Sequence, residues 1–105
     1  MVTILFIDDL RNPNTVIQNL GGKKIVCANN YEAAIQALNN YTFDIVTFDH
    51  DLGEDKTGYN IAKYIVEHQI KINNGFRIHS ANPVGRFNIY QLLTHYGYKE
   101  VKSYE

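Results

Sequence analysis

The sequence predicts a single α/β domain, residues 1–105, built on one parallel sheet of five strands in the order 2-1-3-4-5. Helices are expected on both faces of that sheet, with the last one missing. Three observations carry this. Short apolar runs rich in β-branched residues end abruptly in acid, as strands buried on both faces do: "VTILFI" before Asp8-Asp9 and "FDIVTF" before Asp49. Between such runs lie segments whose apolar residues recur three and four positions apart, the spacing of a helix with one buried side. The connections are short, so strand, helix and strand follow one another as right-handed crossovers require.

Each element has its own signal. "VTILFI" (2–7) is the first strand. "RNPNTVIQNL" (11–20) reads as a short helix, with Pro13 in its first turn and Gly21-Gly22 as its stop. "KKIVCA" (23–28) is the second strand, and Cys27 within it a small buried residue. Asn29 and Asn30 can cap the next helix, with Glu32 three residues after Asn29 in a capping-box position. Tyr31, Ala34, Ile35 and Leu38 then form one apolar face. "FDIVTF" (43–48) is the third strand. "GYNIAKYIVEHQI" (58–70) places Ile61, Ala62 and Ile65 on one helical side, and "GFRIHS" (75–80) is the fourth strand. Pro83 opens a final helix in which Ile89, Leu92, Leu93 and Tyr96 repeat the spacing. Gly97 ends it, and "KEVKSY" (99–104) makes a short fifth strand. Five parallel strands so arranged fit the flavodoxin-like fold.

Composition removes several function classes. A hydrophobic content of 45% with 20% charged residues is ordinary globular usage, not disorder. A net charge of −1 argues against general nucleic-acid binding, which needs a basic face, but leaves room for a small phosphorylated ligand. One cysteine excludes an internal disulfide, and no Cys/His zinc pattern is present. No apolar run approaches the roughly 20 residues of a membrane span. "MVTILFIDD" has neither a basic region nor a cleavage site, so a signal peptide is not expected and a cytoplasmic location follows by default.

In an open parallel sheet, ligands bind outside the carboxyl ends of the strands, where the strand order reverses. The first strand ends in "IDDLR", the third in "FDHDLG" and the fourth in "RIHSAN". Asp8, Asp9, Arg11, Asp49, His50, Asp51, His79 and Ser80 should therefore converge on one edge. Like charges held close repel, so such a cluster costs stability unless a cation, proton or ligand compensates. In "HSANPVGRFN", Asn82, Gly85 and Asn88 are three apart and can share a side at the start of a helix. Pro83 would turn the open amides of that first turn toward the same edge, a natural phosphate cradle, and Ser80 or Asn82 can also cap the helix. His68 and His95 fall in helical stretches and read as solvated. Tyr59, beside the loop, could stack a base, whereas Tyr31, Tyr64, Tyr90 and Tyr96 read as packing residues.

At these residues the chain resembles the receiver domains of response regulators. Asp8 and Asp9 match the acid pair after the first strand, Asp49 the aspartate after the third, and Leu52 and Gly58 the residues that follow. The resemblance implies that the acid pair helps to hold Mg²⁺ and that Asp49 accepts a phosphoryl group. The chain departs from receivers where it has His79-Ser80 in place of a small hydroxyl residue. It departs again where Lys102 in "VKSYE" replaces a lysine followed by proline. Together, "IDDLRNP", "FDHDLG" and "HSANPVGRFN" resemble more closely the cyclic-phosphate processing receiver-like domains, small proteins of bacteria and their viruses. That resemblance implies action on a cyclic nucleotide or on a 2′,3′-cyclic phosphate at an RNA end.

Opening a cyclic phosphodiester needs a base for water, an acid for the departing sugar oxygen and positive groups for the phosphate oxygens. His50, oriented by Asp49 or Asp51, is expected as base and His79 as acid, with the roles interchangeable. Arg11, Ser80, Asn82, Gly85 and Asn88 are expected to hold the phosphate. Asp8, Asp9, Asp49 and Asp51 can bind Mg²⁺ through oxygen. Two other classes stand beside this enzyme: a module that binds a cyclic nucleotide without cleaving it, and a degenerate receiver phosphorylated on Asp49.

Overall fold

Four strands pair in parallel in the computed structural model, which describes residues 2–9 and 16–103, for residues 16–20 the backbone alone. They are β1 (Val2–Ile7), β3 (Lys23–Ala28), β4 (Phe43–Phe48) and β5 (Ile72–Ile78). A further strand, β2 (Val16–Leu20), runs antiparallel along β3, giving the sheet order β2-β3-β1-β4-β5. The helices are α1 (Tyr31–Asn40), α2 (Gly58–Glu67) and α3 (Pro83–His95). The four parallel strands stand in the order expected of the first four, with β1 and β4 adjacent at the centre.

The edges differ from expectation. A helix was expected over 11–20, but Val16–Leu20 is a strand, and residues 10–15, with Arg11 and Pro13, lie outside the described residues. The reason is the glycine pair. Gly21 and Gly22 have φ of 55° and 81°, and Leu20 pairs with Lys23, so the two glycines form the tip of a tight hairpin. A two-residue positive-φ turn matches the twist of antiparallel strands and joins two β-branched runs rather than ending a helix. At the other edge, the expected strand over 99–104 is a single parallel bridge between Phe76 and Glu100. Among the described residues of that segment, 99–103, only Val101 is apolar, and no further pairing forms there. The parallel sheet therefore has four strands, not five.

Helices on both faces are also not what forms. α1 packs on α2 and α2 on α3, so all three lie on one face. There Leu5, Ile7, Val26, Ala28, Val46, Phe48, Phe76 and Ile78 meet Ala34, Leu38, Ile61, Ile65, Ile89 and Leu93 in one core. The alternate strand residues Ile4, Phe6, Ile45 and Thr47 project to the opposite face, because successive side chains of a strand point to opposite sides. Among the described residues no helix covers that face, since part of the one segment expected to supply a helix there forms the strand Val16–Leu20 instead.

The helix starts are fixed locally. Asn30, rather than Asn29, caps α1, its Oδ1 accepting from Ala33 N–H at 2.8 Å, which leaves Glu32 one position short of a capping box. The reciprocal box occurs instead at α2, where Thr57 N–H donates to Asn60 Oδ1 at 2.8 Å. On α3, Ile89 and Leu93 are buried as the spacing predicts. Tyr90 and Tyr96 are 42% and 58% exposed, so they do not pack in the core. Cys27 is a half-buried strand residue, and His68 and His95 are exposed at helix ends.

Candidate functional site

The pairing register decides which residues meet. Phe6 is opposite Thr47, and Thr47 is opposite Arg77. Two residues further along each strand, on the same face, come Asp8, Asp49 and His79. Main-chain bonds carry the ladder past the strand ends: Asp8 N–H donates to Ala28 O at 3.0 Å, Asp49 N–H to Ile7 O at 3.0 Å and His79 N–H to Phe48 O at 2.9 Å. Three strand ends thus lie abreast, and each delivers one side chain to a common point. One donor atom from each of Asp8, Asp49 and His79 lies within 4.8 Å of the other two.

The trio is held rigidly and kept from water. Asp8 is 8% exposed, and Asp49 and His79 are half-buried. The His79 ring stacks on Phe6, with centroids 4.7 Å apart and planes 11° from parallel. Its Nδ1 is 2.8 Å from the hydroxyl of the fully buried Thr47, which fixes the ring's rotation. Its Nε2 is shielded from solvent, stands 3.4 Å from Asp8 Oδ2 and makes no hydrogen bond. Burial pushes the Asp49 carboxyl above the usual carboxylate range, and Asp8 and Asp9 push it further, against the pull of the Asp51 N–H and His79. Burial also holds His79 below the usual imidazole value, against the attraction of Asp8 and Asp49. The group is two carboxylates facing an imidazole that resists protonation. This donor set suits a divalent cation, since it offers negative oxygen and a nitrogen lone pair with no positive side chain among them.

A second group lies beside the first, built on the loop after β4 and the start of α3. His50 is one residue past Asp49 and so turns toward the helical face, where its ring packs over Gly85. A side chain at Gly85 would collide with that ring, so the glycine supplies the space for the imidazole. His50 Nδ1 is 3.2 Å from Asp51 Oδ1 and 3.5 Å from Asn82 Nδ2. With Nδ1–H donating to Asp51, Nε2 carries the lone pair. Asn82 caps α3: its Oδ1 accepts from Gly85 N–H at 3.0 Å, and its own N–H donates to Ser80 Oγ at 3.1 Å. The expected phosphate cradle is therefore largely filled from within by Asn82 and His50.

The sequence-predicted residues thus sort into separate places. Asp8, Asp49 and His79 come together. His50, Asp51, Ser80, Asn82 and Gly85 form the neighbouring group, joined to the first where Asp51 N–H donates to Asp49 Oδ1 at 3.4 Å. Asp9 points across the loop, its Oδ2 beside Gly53, and does not join Asp8 and Asp49. Asn88 does not share a side with Asn82, because a three-residue step falls about 60° short of a full turn. It lines a surface hollow of about 740 Å³ with Tyr59, Gln91 and Tyr96. Arg11 lies outside the described residues. Sequence reasoning missed Thr47 and Phe6, which position His79. A polar residue inside the apolar run "FDIVTF", two before Asp49, was the available signal.

A solved structure whose title describes a yeast Spc42 trimeric coiled coil (residues 181–211) in a fusion matches with a TM-score of 0.62 at 19% identity. The match covers 98% of this chain and 71% of that one, and it shows a shared fold. No protein with a curated description matches the sequence. The family model for the cyclic-phosphate processing receiver domain matches residues 3–95, a span that contains β1 through α3 and both groups of side chains. The chain belongs to the cyclic-phosphate processing receiver domain family.

Proposed function

We propose that this domain is a phosphoesterase that hydrolyses a cyclic phosphodiester, in a cyclic nucleotide or at a 2′,3′-cyclic RNA end, to the monoester. The observation that supports it most is the meeting of Asp8, Asp49 and His79 within 4.8 Å, beside a second imidazole oriented by a carboxylate. In the reaction water adds to phosphorus and loses a proton to solvent, one ring P–O bond breaks, and the departing sugar oxygen takes a proton from His50. Asp8 and Asp49 would hold a divalent cation, which would supply positive charge for the phosphate oxygens and make water more acidic.

His50 provides the proton. Asp51, 3.2 Å from Nδ1, holds the ring so that Nε2 faces the leaving oxygen. Gly85 and Asn82 keep the ring in place from the other side. His79, its Nε2 turned to Asp8, stays with the acidic group rather than with the leaving oxygen. Tyr59 and Asn88 border the nearby hollow, which is wide enough for a base to lie against the tyrosine.

The test is incubation of the purified protein with 2′,3′-cyclic nucleotides and a divalent cation. Monoester should form, chelation should stop it, and His50→Ala should slow it by about 10²–10⁴-fold. Recovery of intact ligand from a protein that binds it would make the domain a binding module. A stable 80-dalton adduct with acetyl phosphate, lost in Asp49→Asn, would make it a signalling receiver.

A further inference from the structure

We infer that His79 is a cation ligand, and that with Asp8 and Asp49 it makes a one-nitrogen, two-carboxylate site that prefers a first-row transition ion such as Mn²⁺ to Mg²⁺. The inference rests on the cation of the proposed function and says which cation that is. Four features of the trio lead to it. Nε2 is shielded from water, is aimed at Asp8 and makes no hydrogen bond, a position that costs free energy in a buried polar atom unless something fills its lone pair. Nδ1 is engaged by the Thr47 hydroxyl at 2.8 Å, an outer contact of the kind that orients a metal-bound imidazole. With Nδ1–H donating to Thr47 Oγ1, the lone pair of Nε2 faces Asp8 and Asp49.

The third feature is distance. Donor atoms within 4.8 Å of one another can close on one ion at bonds of about 2.0–2.2 Å after side-chain shifts of up to about an ångström. The fourth is rigidity. Stacking on Phe6 and the bond to buried Thr47 leave the ring no other direction to face. Mg²⁺ favours oxygen and water and gains little from imidazole, whereas Mn²⁺ and its neighbours accept mixed nitrogen and carboxylate sets. A nitrogen placed as the third donor therefore shifts the preference away from Mg²⁺.

The full chain, freed of metal, is titrated with Mn²⁺ and with Mg²⁺ by calorimetry in the absence of substrate. Mn²⁺ should bind at least about tenfold tighter than Mg²⁺. His79→Ala should weaken Mn²⁺ binding by about 10–100-fold and leave Mg²⁺ binding within a few-fold, so the preference collapses. Pulsed paramagnetic resonance on the Mn²⁺-loaded protein should show coupling to an imidazole nitrogen that survives His50→Ala and disappears in His79→Ala. Equal affinity for the two ions in the unaltered protein would overturn the inference whether or not a variant folds. So would a missing nitrogen coupling, or one that persists without His79. Nitrogen-coordinated Mn²⁺ in a protein that leaves cyclic phosphates intact would instead remove the phosphoesterase reading and keep the cation site.

Discussion

His79 and His50 lie at neighbouring strand ends, yet their surroundings differ in kind. His79 is clamped by Phe6 and Thr47 and directs a nitrogen without a hydrogen bond at two carboxylates. His50 rests in a pocket made by an absent side chain at Gly85 and is tied to Asp51, to which the Asn82 amide also donates at 3.4 Å. The first region stores unfavourable electrostatics that a cation would relieve. The second is satisfied by its own hydrogen bonds and is placed to exchange a proton. One residue of register separates them, since Asp49 and His79 share a face that His50 does not. In the proposed reaction, binding charge and moving a proton would fall to opposite sides of the same edge.

The strongest way to break this contrast is Asp49→Asn. It should abolish cation-dependent turnover, and it should also raise the melting temperature of the metal-free protein at neutral pH. Burial and the nearby Asp8 and Asp9 make the Asp49 charge costly, so its folded pKa is raised. The native state then holds the proton more tightly than the unfolded chain, and stability is lost as pH rises through the range between the unfolded and folded values. The melting advantage of Asn should therefore shrink as pH falls toward 3.8. Parallel melts of both proteins across that range check the sign.

Next in size is His50→Ala, which should cut turnover by about 10²–10⁴-fold while Mn²⁺ affinity stays unchanged. The two readouts together separate the regions, because any variant of the trio should lower both. Gly85→Ala should imitate it from the other side of the contact. The added methyl displaces the His50 ring, lowering stability by about 1–3 kcal/mol and turnover with it, with cation binding intact. Denaturant unfolding and calorimetry on one sample measure both effects.

The smallest effect concerns His79 in the metal-free protein. Burial lowers its folded pKa, so the unfolded chain binds more protons below about pH 6.5, and stability falls as pH drops from there through the folded value. His79→Gln should flatten that slope, read from melting temperatures between about pH 7 and 5.

Much of this was legible because two simple rules agree. Apolar runs that end in acid located β1 and β4, and the topology rule put their ends together with that of β5. The trio then follows from side-chain alternation once the register is known. Other features depended on competition between local signals. Gly21-Gly22 can stop a helix or make a hairpin, and the β-branched residues on either side decided for the hairpin. "KEVKSY" was expected as a fifth strand, but among its described residues it makes only one bridge, Phe76 with Glu100. Asn82 and Gly85 were recognisable as part of a helix start. Their use, one as a cap and the other as room for His50, depended on a side chain more than thirty residues away in sequence.

The most direct test follows the phosphorus atom itself. Phosphorus NMR of a 2′,3′-cyclic nucleotide incubated with the Mn²⁺-loaded protein and then freed of metal should show the cyclic-phosphate resonance replaced by that of a monoester. The conversion should be lost in both Asp49→Asn and His50→Ala. A cyclic resonance that stays unchanged after prolonged incubation with loaded, folded protein would contradict hydrolysis at this edge.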